Sequence, residues 1–316
     1  MLVLVTGATG FLGRRVVQRL LEHHYDVRCL VHTPGGERVF DDRSLDIYYG
    51  SVTDPEALSE ALQDVDAVIH LVAIIRQRRR ATFDAINRQG AANVAAAAKR
   101  NSVKHFIHVS ANGATNDPRY GYLYSKWQGE QEVVNSGSPY TLFRPALMYG
   151  PGDEFLNTLA GLTKILPMVP VPGSGRNRFQ PIDADDVARC LVLAVDRQDL
   201  KGKTLEIGGP QQLSYNEILT TVARALGKKR WRLHIPVWLM YLAAMAIQTI
   251  QPRPAITTEQ LRMAIQRNVS ESGVVEQTFG FTPRAMEGNI DFVRSVTAGD
   301  GFSIAMGLRP RRIRHH

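Results

Sequence analysis

Leu2-Val3-Leu4-Val5-Thr6-Gly7-Ala8-Thr9-Gly10-Phe11-Leu12-Gly13 stands at the head of a 316-residue chain. Its first residues form an apolar run, which reads as a buried strand. From Arg14 onward, Val16, Val17, Leu20 and Leu21 take helical spacing. Strand, glycine turn and helix in that order is the setting in which a glycine fingerprint points to a dinucleotide. Gly7 suits the tight turn, Gly10 the approach of backbone to a pyrophosphate, and Gly13 the close packing of helix on strand. Free N–H groups of the helix's first turn then face the phosphates, where the helix dipole favours negative charge. Thr9, Phe11 and Leu12 fill the rest of the turn and join the glycines as candidate cofactor contacts. The competing reading, a tight turn with no ligand, is weakened by the strand that leads directly into it.

Beyond this turn the chain alternates. A second strand over residues 25–32 ends in Val31-His32, with Arg38 shortly after. An acid at that tip would accept from a ribose 2′-hydroxyl, whereas a cation accommodates a 2′-phosphate. With His32 there and no acid at the tip, the sequence favours NADP(H) over NAD(H). A third strand, 45–50, leads to Ser51 and Val52; Asp54 then caps a helix opened by Pro55. A fourth strand, 66–73, puts Val72 and Ala73 beside the ribose and phosphates. An alanine-rich helix over 83–99 and a fifth strand over 104–110 follow. The alternation predicts an α/β protein, a Rossmann-type doubly wound parallel sheet with a smaller C-terminal substrate lobe. The expected domains are 1–150, with 180–207 returning to it, and a smaller lobe of 151–179 and 208–300. Residues 301–316 are expected to be a disordered basic tail.

Charged residues make up 22% of the chain and hydrophobic ones 44%, as in an ordinary soluble domain. The net charge of +8 gathers at 76–80, 228–232 and 309–314, which suits an acidic partner such as a nucleotide or an anionic membrane surface. No basic–aromatic module argues for nucleic acid. Cys29 and Cys190 are expected to be packed thiols of a reducing compartment, and no metal site is expected. No signal peptide is read ahead of the first strand, and no apolar run reaches the roughly 20 residues of a membrane span. The expectation is a cytoplasmic protein, with peripheral attachment to the inner face of the membrane as the alternative. Residues 231–247 are almost wholly apolar from Pro236 on, carry Trp231 and Trp238, and follow Lys228, Lys229 and Arg230. They are read as a buried helix of the smaller lobe; a membrane-interface helix or the wall of a lipid or quinone pocket is the alternative.

Tyr122 and Lys126 carry the chemistry. Four residues apart, they share one face of a helix. A phenol near pKa 10 is a poor acid–base at neutral pH, but an ammonium one turn away and an oxidised nicotinamide would stabilise the phenolate. Tyr122 would then exchange a proton with a carbonyl or hydroxyl while hydride moves to or from the ring.

The glycine turn, the Tyr122-x-x-x-Lys126 pair and Phe143-Arg144-Pro145-Ala146-Leu147-Met148-Tyr149-Gly150 together resemble the extended short-chain dehydrogenases/reductases. Gln180-Pro181-Ile182-Asp183-Ala184-Asp185-Asp186-Val187-Ala188 and Leu205-Glu206-Ile207-Gly208-Gly209-Pro210 match later landmarks of that family. The resemblance implies that Pro145, Ala146 and Leu147 lie by the nicotinamide and that Asn87 stands near the family's tetrad asparagine. It also implies a catalytic serine or threonine after strand five, a position that falls on Ala111, with Ser110 one residue early. The arginine with which sugar-nucleotide enzymes hold a diphosphate falls on Phe179, beside Arg176 and Arg178.

These departures are similar to an atypical branch that includes the nucleotide-binding accessory subunit of respiratory complex I and its bacterial relatives, where the NADPH is structural. Three functions therefore stand side by side. The first is an oxidoreductase with Tyr122 as acid–base, Lys126 as its partner and ribose anchor, both touching the cofactor, and Ser110 as third catalytic residue, acting on a small molecule such as a lipid or quinone. The second is a non-catalytic NADPH-binding accessory or assembly subunit of respiratory complex I at the membrane. The third, disfavoured by Phe179, is a nucleotide-sugar epimerase or dehydratase.

Overall fold

A computed structural model describes residues 1–40, 44–78, 81–251 and 254–308. In chain order the first elements are β1 (Leu2–Thr6), α1 (Gly13–Glu22), β2 (Asp26–Val31), β3 (Asp46–Tyr49), α2 (Pro55–Ala61) and β4 (Ala67–His70). After them come α3 (Gly90–Arg100), β5 (His105–Val109), α4 (Gly121–Asn135), β6 (Tyr140–Pro145), β7 (Met148–Tyr149), α5 (Glu154–Ile165) and β8 (Met168–Pro172). The chain continues with β9 (Arg178–Phe179), β10 (Ile182–Asp183), α6 (Ala184–Ala194), β11 (Lys203–Ile207), β12 (Leu213–Ser214) and α7 (Tyr215–Ala225). Last are β13 (Trp231–Ile235), α8 (Val237–Ile250), α9 (Thr258–Ala264), α10 (Val274–Phe279) and α11 (Ala298–Ala305).

The chain divides into two units. The first holds Met1–Pro145, Ala184–Ile207 and Val274–Phe281. Its seven strands run parallel in the order β11-β6-β5-β4-β1-β2-β3, so the winding reverses between β1 and β4. This is the expected Rossmann-type sheet, and ligands of such sheets sit at the carboxyl ends of the strands on either side of the reversal. One face buries Leu4, Val68 and Phe106 under the alanine-rich α3, whose Ala91, Ala95 and Ala98 let the helix lie close to the strands. On the other side α1 buries Val16, Val17 and Leu20. Its Arg15 pairs with Asp185 of α6 at 2.9 Å.

Two details depart from expectation here. Instead of a single α-helix over 83–99, a π-helical turn, Asp84–Gln89, precedes α3. Gly90 marks the junction because a side chain there would press on Val52 at 2.8 Å. Residues 274–281 belong to this unit rather than to the smaller lobe. Phe279 stacks on Phe143 at 6.1 Å, and Arg197 Nη1 donates to the Thr278 carbonyl at 3.0 Å.

The second unit holds Ala146–Asp183, Gly208–Gly273 and Thr282–His316. Residues 146–150 and 180–183 sit in it because β7 and β10 pair with each other, Met148 opposite Ile182. Its core gathers Tyr149, Leu156, Phe179, Tyr215 and Ile218. α7 opens with a capping box, Ser214 Oγ accepting from Glu217 N while Glu217 Oε2 accepts from Ser214 N.

The apolar segment 231–247 is not buried, contrary to expectation. Residues 231–235 form β13, an edge strand on β8, and only Ala244 of the 14 residues of α8 is buried. α8 is anchored along one narrow stripe, where Arg262 Nη2 donates to Tyr241 Oη at 2.7 Å and Gln248 Oε1 accepts from Thr258 N at 2.7 Å. Residues 301–305, expected to open the disordered tail, belong instead to α11, where Gly301 and Ile304 are buried; Arg79 and Arg80 of the 76–80 cluster, Pro252, and the tail from Arg309 on lie outside the described residues.

A methyl group on residue 13 would stand 2.1 Å from the Gly7 carbonyl oxygen and 2.6 Å from that of Ala8. Gly13→Ala should therefore lower stability by about 1–3 kcal/mol, the ordinary cost of overpacking. A urea titration of the unligated protein measures it.

Candidate functional site

The phosphate end of the site is backbone. β1 ends at Thr6, and the chain reverses at Gly7, whose φ of +75° suits a residue without Cβ. Gly10 N donates to the Gly7 carbonyl at 3.0 Å, closing the turn. Val72, just past β4, lies against it: a Cβ on Gly7 would meet Val72 N at 3.2 Å. α1 then starts with no side-chain cap and no acid in its first turn, so its leading N–H groups face no competing carboxylate from that turn. A glycine lining of this kind fits a dinucleotide pyrophosphate. The structure thus brings Gly7, Thr9, Gly10, Phe11, Leu12 and Gly13 together with Val72. Phe11 lies under the Arg15 guanidinium, 4.6 Å from ring to cation.

At the ribose end, His32 is exposed just past β2. Beyond it a 3₁₀ turn, Gly36–Val39, carries both Glu37 and Arg38. Sequence reading passed over Glu37. Its carboxylate is already engaged, accepting from Gly35 N at 2.8 Å and from the Tyr49 hydroxyl. Across the sheet Val52 is buried, its carbonyl held by Asn93 Nδ2 at 3.0 Å, and Ser51 Oγ bonds Thr53 Oγ1 at 2.8 Å. Ala73 is exposed beyond β4.

Tyr122 and Lys126 lie on α4, one turn apart. Lys126 is buried, and its Nζ donates to the Val109 carbonyl at 2.8 Å, at the end of β5. Burial pulls this ammonium down to about 8. Tyr122 is half-buried, edge-on to Phe83 at 6.0 Å, and burial pushes its phenol up to about 12. Burial therefore outweighs the acidification of Tyr122 that the Tyr122–Lys126 spacing predicts. Ser110 follows Val109; its N–H donates to Phe143 O at 2.7 Å, while its buried hydroxyl has no hydrogen-bond partner among the described residues.

Asn87, on the π-helical turn, is the hub beside this pair. Its Nδ2 donates to Ser125 Oγ at 2.9 Å and to Ile74 O at 3.0 Å, and its Oδ1 accepts from Ile74 N at 2.8 Å. It fastens the segment after β4 to α4. Gly129 allows α4 to come this close, since a Cβ there would meet Asn87 O at 2.5 Å. Pro145 ends β6 and its carbonyl accepts from Asn112 N at 2.9 Å. Ala146 and Leu147 belong to the second unit, where Leu147 N donates to Asn268 Oδ1 at 2.8 Å. Phe179 is a core residue of that unit, packed on Tyr215 at 6.5 Å.

Two histidines, neither expected to pair with the other, lie in the same sheet. His70 and His108 face each other in β4 and β5 and stack at 5.3 Å, both fully buried. Thr6 Oγ1 bonds His70 Nδ1 at 2.6 Å, but His70 Nε2 and both nitrogens of His108 have no partner among the described residues. Burial, helped by the Lys126 charge, holds His70 down to about 3 and His108 well below its ordinary value. The signal was readable: a histidine at the matching position of two short, largely apolar strands.

Comparison with known proteins gives a consistent family. The model of the family described as NAD dependent epimerase/dehydratase matches residues 3–208. The mitochondrial NADH dehydrogenase (ubiquinone) 1 alpha subcomplex subunit 9 of Arabidopsis thaliana is 32% identical over 68% of this chain and 55% of its own length. This chain thus spans only about half of that relative. The Ceramide reductase of Caulobacter vibrioides is 31% identical over 74% of this chain and 73% of its own. Among solved structures, a nucleoside-diphosphate-sugar epimerase from Staphylococcus aureus superposes with a TM-score of 0.74 at 21% identity, covering 93% of this chain and 100% of that one. At that identity the likeness speaks for the fold.

The histidine pair sets an acid limit. Both rings are protonated in the unfolded chain below about pH 6.5 but stay neutral in the fold. The native state therefore binds fewer protons, and stability is lost as pH falls below 6.5, down to about 3 for His70. Each ring should contribute a slope of about 1.4 kcal/mol per pH unit. His108→Phe should remove one such slope between pH 6 and 4 and leave the stability at pH 8 unimpaired. Urea midpoints across that range read it; an unchanged slope refutes the assignment.

Proposed function

Because this chain belongs to the NAD dependent epimerase/dehydratase family, we propose that it is an oxidoreductase of the atypical extended short-chain type, with Tyr122 as acid–base and Lys126 as its partner. The supporting observation is the buried Lys126 ammonium, tied to Val109 O at 2.8 Å and one helical turn from Tyr122; the next residue, Ser110, holds a hydroxyl with no partner among the described residues. When bound, the dinucleotide supplies or accepts a hydride. In the reducing direction Tyr122 gives its phenolic proton to a carbonyl oxygen, and the nearby ammonium stabilises the phenolate left behind. Ser110 donates a hydrogen bond to the same oxygen. Asn87 holds α4 in place through Ser125.

NADP(H) is the favoured cofactor. His32 and Arg38 are the groups available to a 2′-phosphate, while Glu37, the one carboxylate of that turn, is engaged by Gly35 and Tyr49. An apolar, lipid- or quinone-like substrate is favoured over a nucleotide sugar. Relatives that bear the names Ceramide reductase and Sterol demethylase protein B support this, as does Phe179 at the diphosphate position.

A second reading, a non-catalytic NADPH-binding accessory or assembly subunit, has its own support. Relatives include subunits of NADH dehydrogenase and Photosystem II assembly factor Ycf39. Burial also holds the Tyr122 phenol up to about 12.

Nucleotide released from the purified protein by denaturation, identified by mass spectrometry, should be NADP(H). Oxidation of the holo-protein's reduced nicotinamide by apolar carbonyls or quinones then separates the readings. Tyr122→Phe should cut that turnover by about a hundredfold to ten-thousandfold while leaving dinucleotide affinity unchanged. A nicotinamide that stays reduced with every acceptor favours the accessory subunit. Arg38→Ala should weaken NADPH relative to NADH about tenfold, the worth of one charged hydrogen bond.

A further inference from the structure

The second unit displays an apolar ridge that its own fold does not use. Trp231 is 77% exposed, Trp238 65% and Ile250 81%, and Leu242 and Met245 of α8 are exposed with them. The ridge continues past the end of α8. Gln251 Nε2 donates to the Ala305 carbonyl at 3.1 Å, which brings the C-terminal end of α11 alongside, with Met306 66% exposed. Scattered exposed leucines need no explanation, but a contiguous ridge with two tryptophans does.

Charge identifies what covers it. Residues 218–258 contain no Asp or Glu, yet carry Arg224, Lys228, Lys229, Arg230, Arg232 and Arg253. Lys228, Lys229 and Arg232 are exposed immediately before α8. A second copy of the chain meeting this face would set the same cations against one another, which costs affinity. An anionic lipid leaflet meets both demands at once, with acyl chains for the ridge and headgroups for its basic fringe. The 14 residues of α8 make a helix about 21 Å long, too short for a hydrocarbon core of about 30 Å. Among the described residues no helix is long and apolar enough to cross a membrane. An uncharged helix of this length lies in the plane of the interface, and tryptophans favour that depth.

We propose that this protein docks peripherally on an anionic lipid bilayer, α8 lying in the interface with Trp231, Trp238, Leu242 and Met245 inserted and Lys228 and Lys229 on the headgroups. The proposal is independent of whether Tyr122 turns over a substrate.

Flotation of the full chain with phosphatidylglycerol/phosphatidylcholine vesicles tests it. Wild type should float with these vesicles, and its tryptophan emission should shift to the blue. Binding should fall by about tenfold or more with pure phosphatidylcholine or at high salt, as for a short basic cluster. The exposed triple variant Trp238→Ser, Leu242→Ser, Met245→Ser should abolish flotation, and Lys228→Glu with Lys229→Glu should reproduce the pure phosphatidylcholine level. Dinucleotide affinity should stay at the wild-type value in each variant, which certifies the fold. Three results overturn the proposal: wild type that does not float, flotation indifferent to the variants, or a dimer by light scattering that the triple variant returns to monomer. The last would assign the ridge to a second copy.

Discussion

The first unit depends on residue 13, where any side chain would collide with the Gly7 carbonyl. Only with hydrogen there can α1 start directly under the turn from β1, and only then do its first N–H groups point along the crevice beside β4. The same closeness recurs where the catalytic candidates are carried. Gly129 lets α4 touch the backbone of Asn87, and Gly90 lets α3 pass Val52. The first unit is thus a set of helices lowered onto a sheet by glycine and alanine. The price is a turn with no spare volume.

Position along the sheet is fixed by charge as well as shape. Glu130 of α4 is 1% exposed and takes a two-point grip from Arg144 of β6, at 2.8 and 2.7 Å. Arg144 also reaches Glu206 of β11 at 3.1 Å. The pair raises the Arg144 guanidinium well above its usual value. Such a buried pair adds little net stability against an apolar packing, but removing one partner strands the other charge. It fixes α4 in one register over β6, and with it the direction in which Tyr122 and Lys126 face.

Most of the first unit was legible because its signals are local. Strand, glycine turn and helix at 2–22, the cap at Asp54 and the Tyr122–Lys126 spacing need no knowledge of distant residues. What failed to read was set by tertiary partners. Whether the apolar run of α8 would be covered depended on what the rest of the second unit offered, and among the described residues it buries only Ala244 of that helix. Residues 274–281 look like any short amphipathic helix until Phe143 is found under Phe279. The π-helical turn leaves no composition mark, and Glu37 counts as an acid near the ribose end only until its engagement by Gly35 and Tyr49 is seen. The residues proposed for the site in unit one sit in local motifs that a sequence displays; the geometry that commits Lys126 to Val109 does not.

The order of strands has a consequence for how the protein is made. β6 closes the contiguous part of the sheet at residue 145, but its outer neighbour β11 is synthesised only at 203–207, and α10 at 274–279. Until β11 emerges from the ribosome, β6 offers a row of unsatisfied N–H and C=O groups to any strand that meets it. Parallel pairing over such a sequence distance is also slow to form. The nascent chain therefore passes through a window in which β6 is an open edge of its sheet, exposed to mispairing until β11 is made.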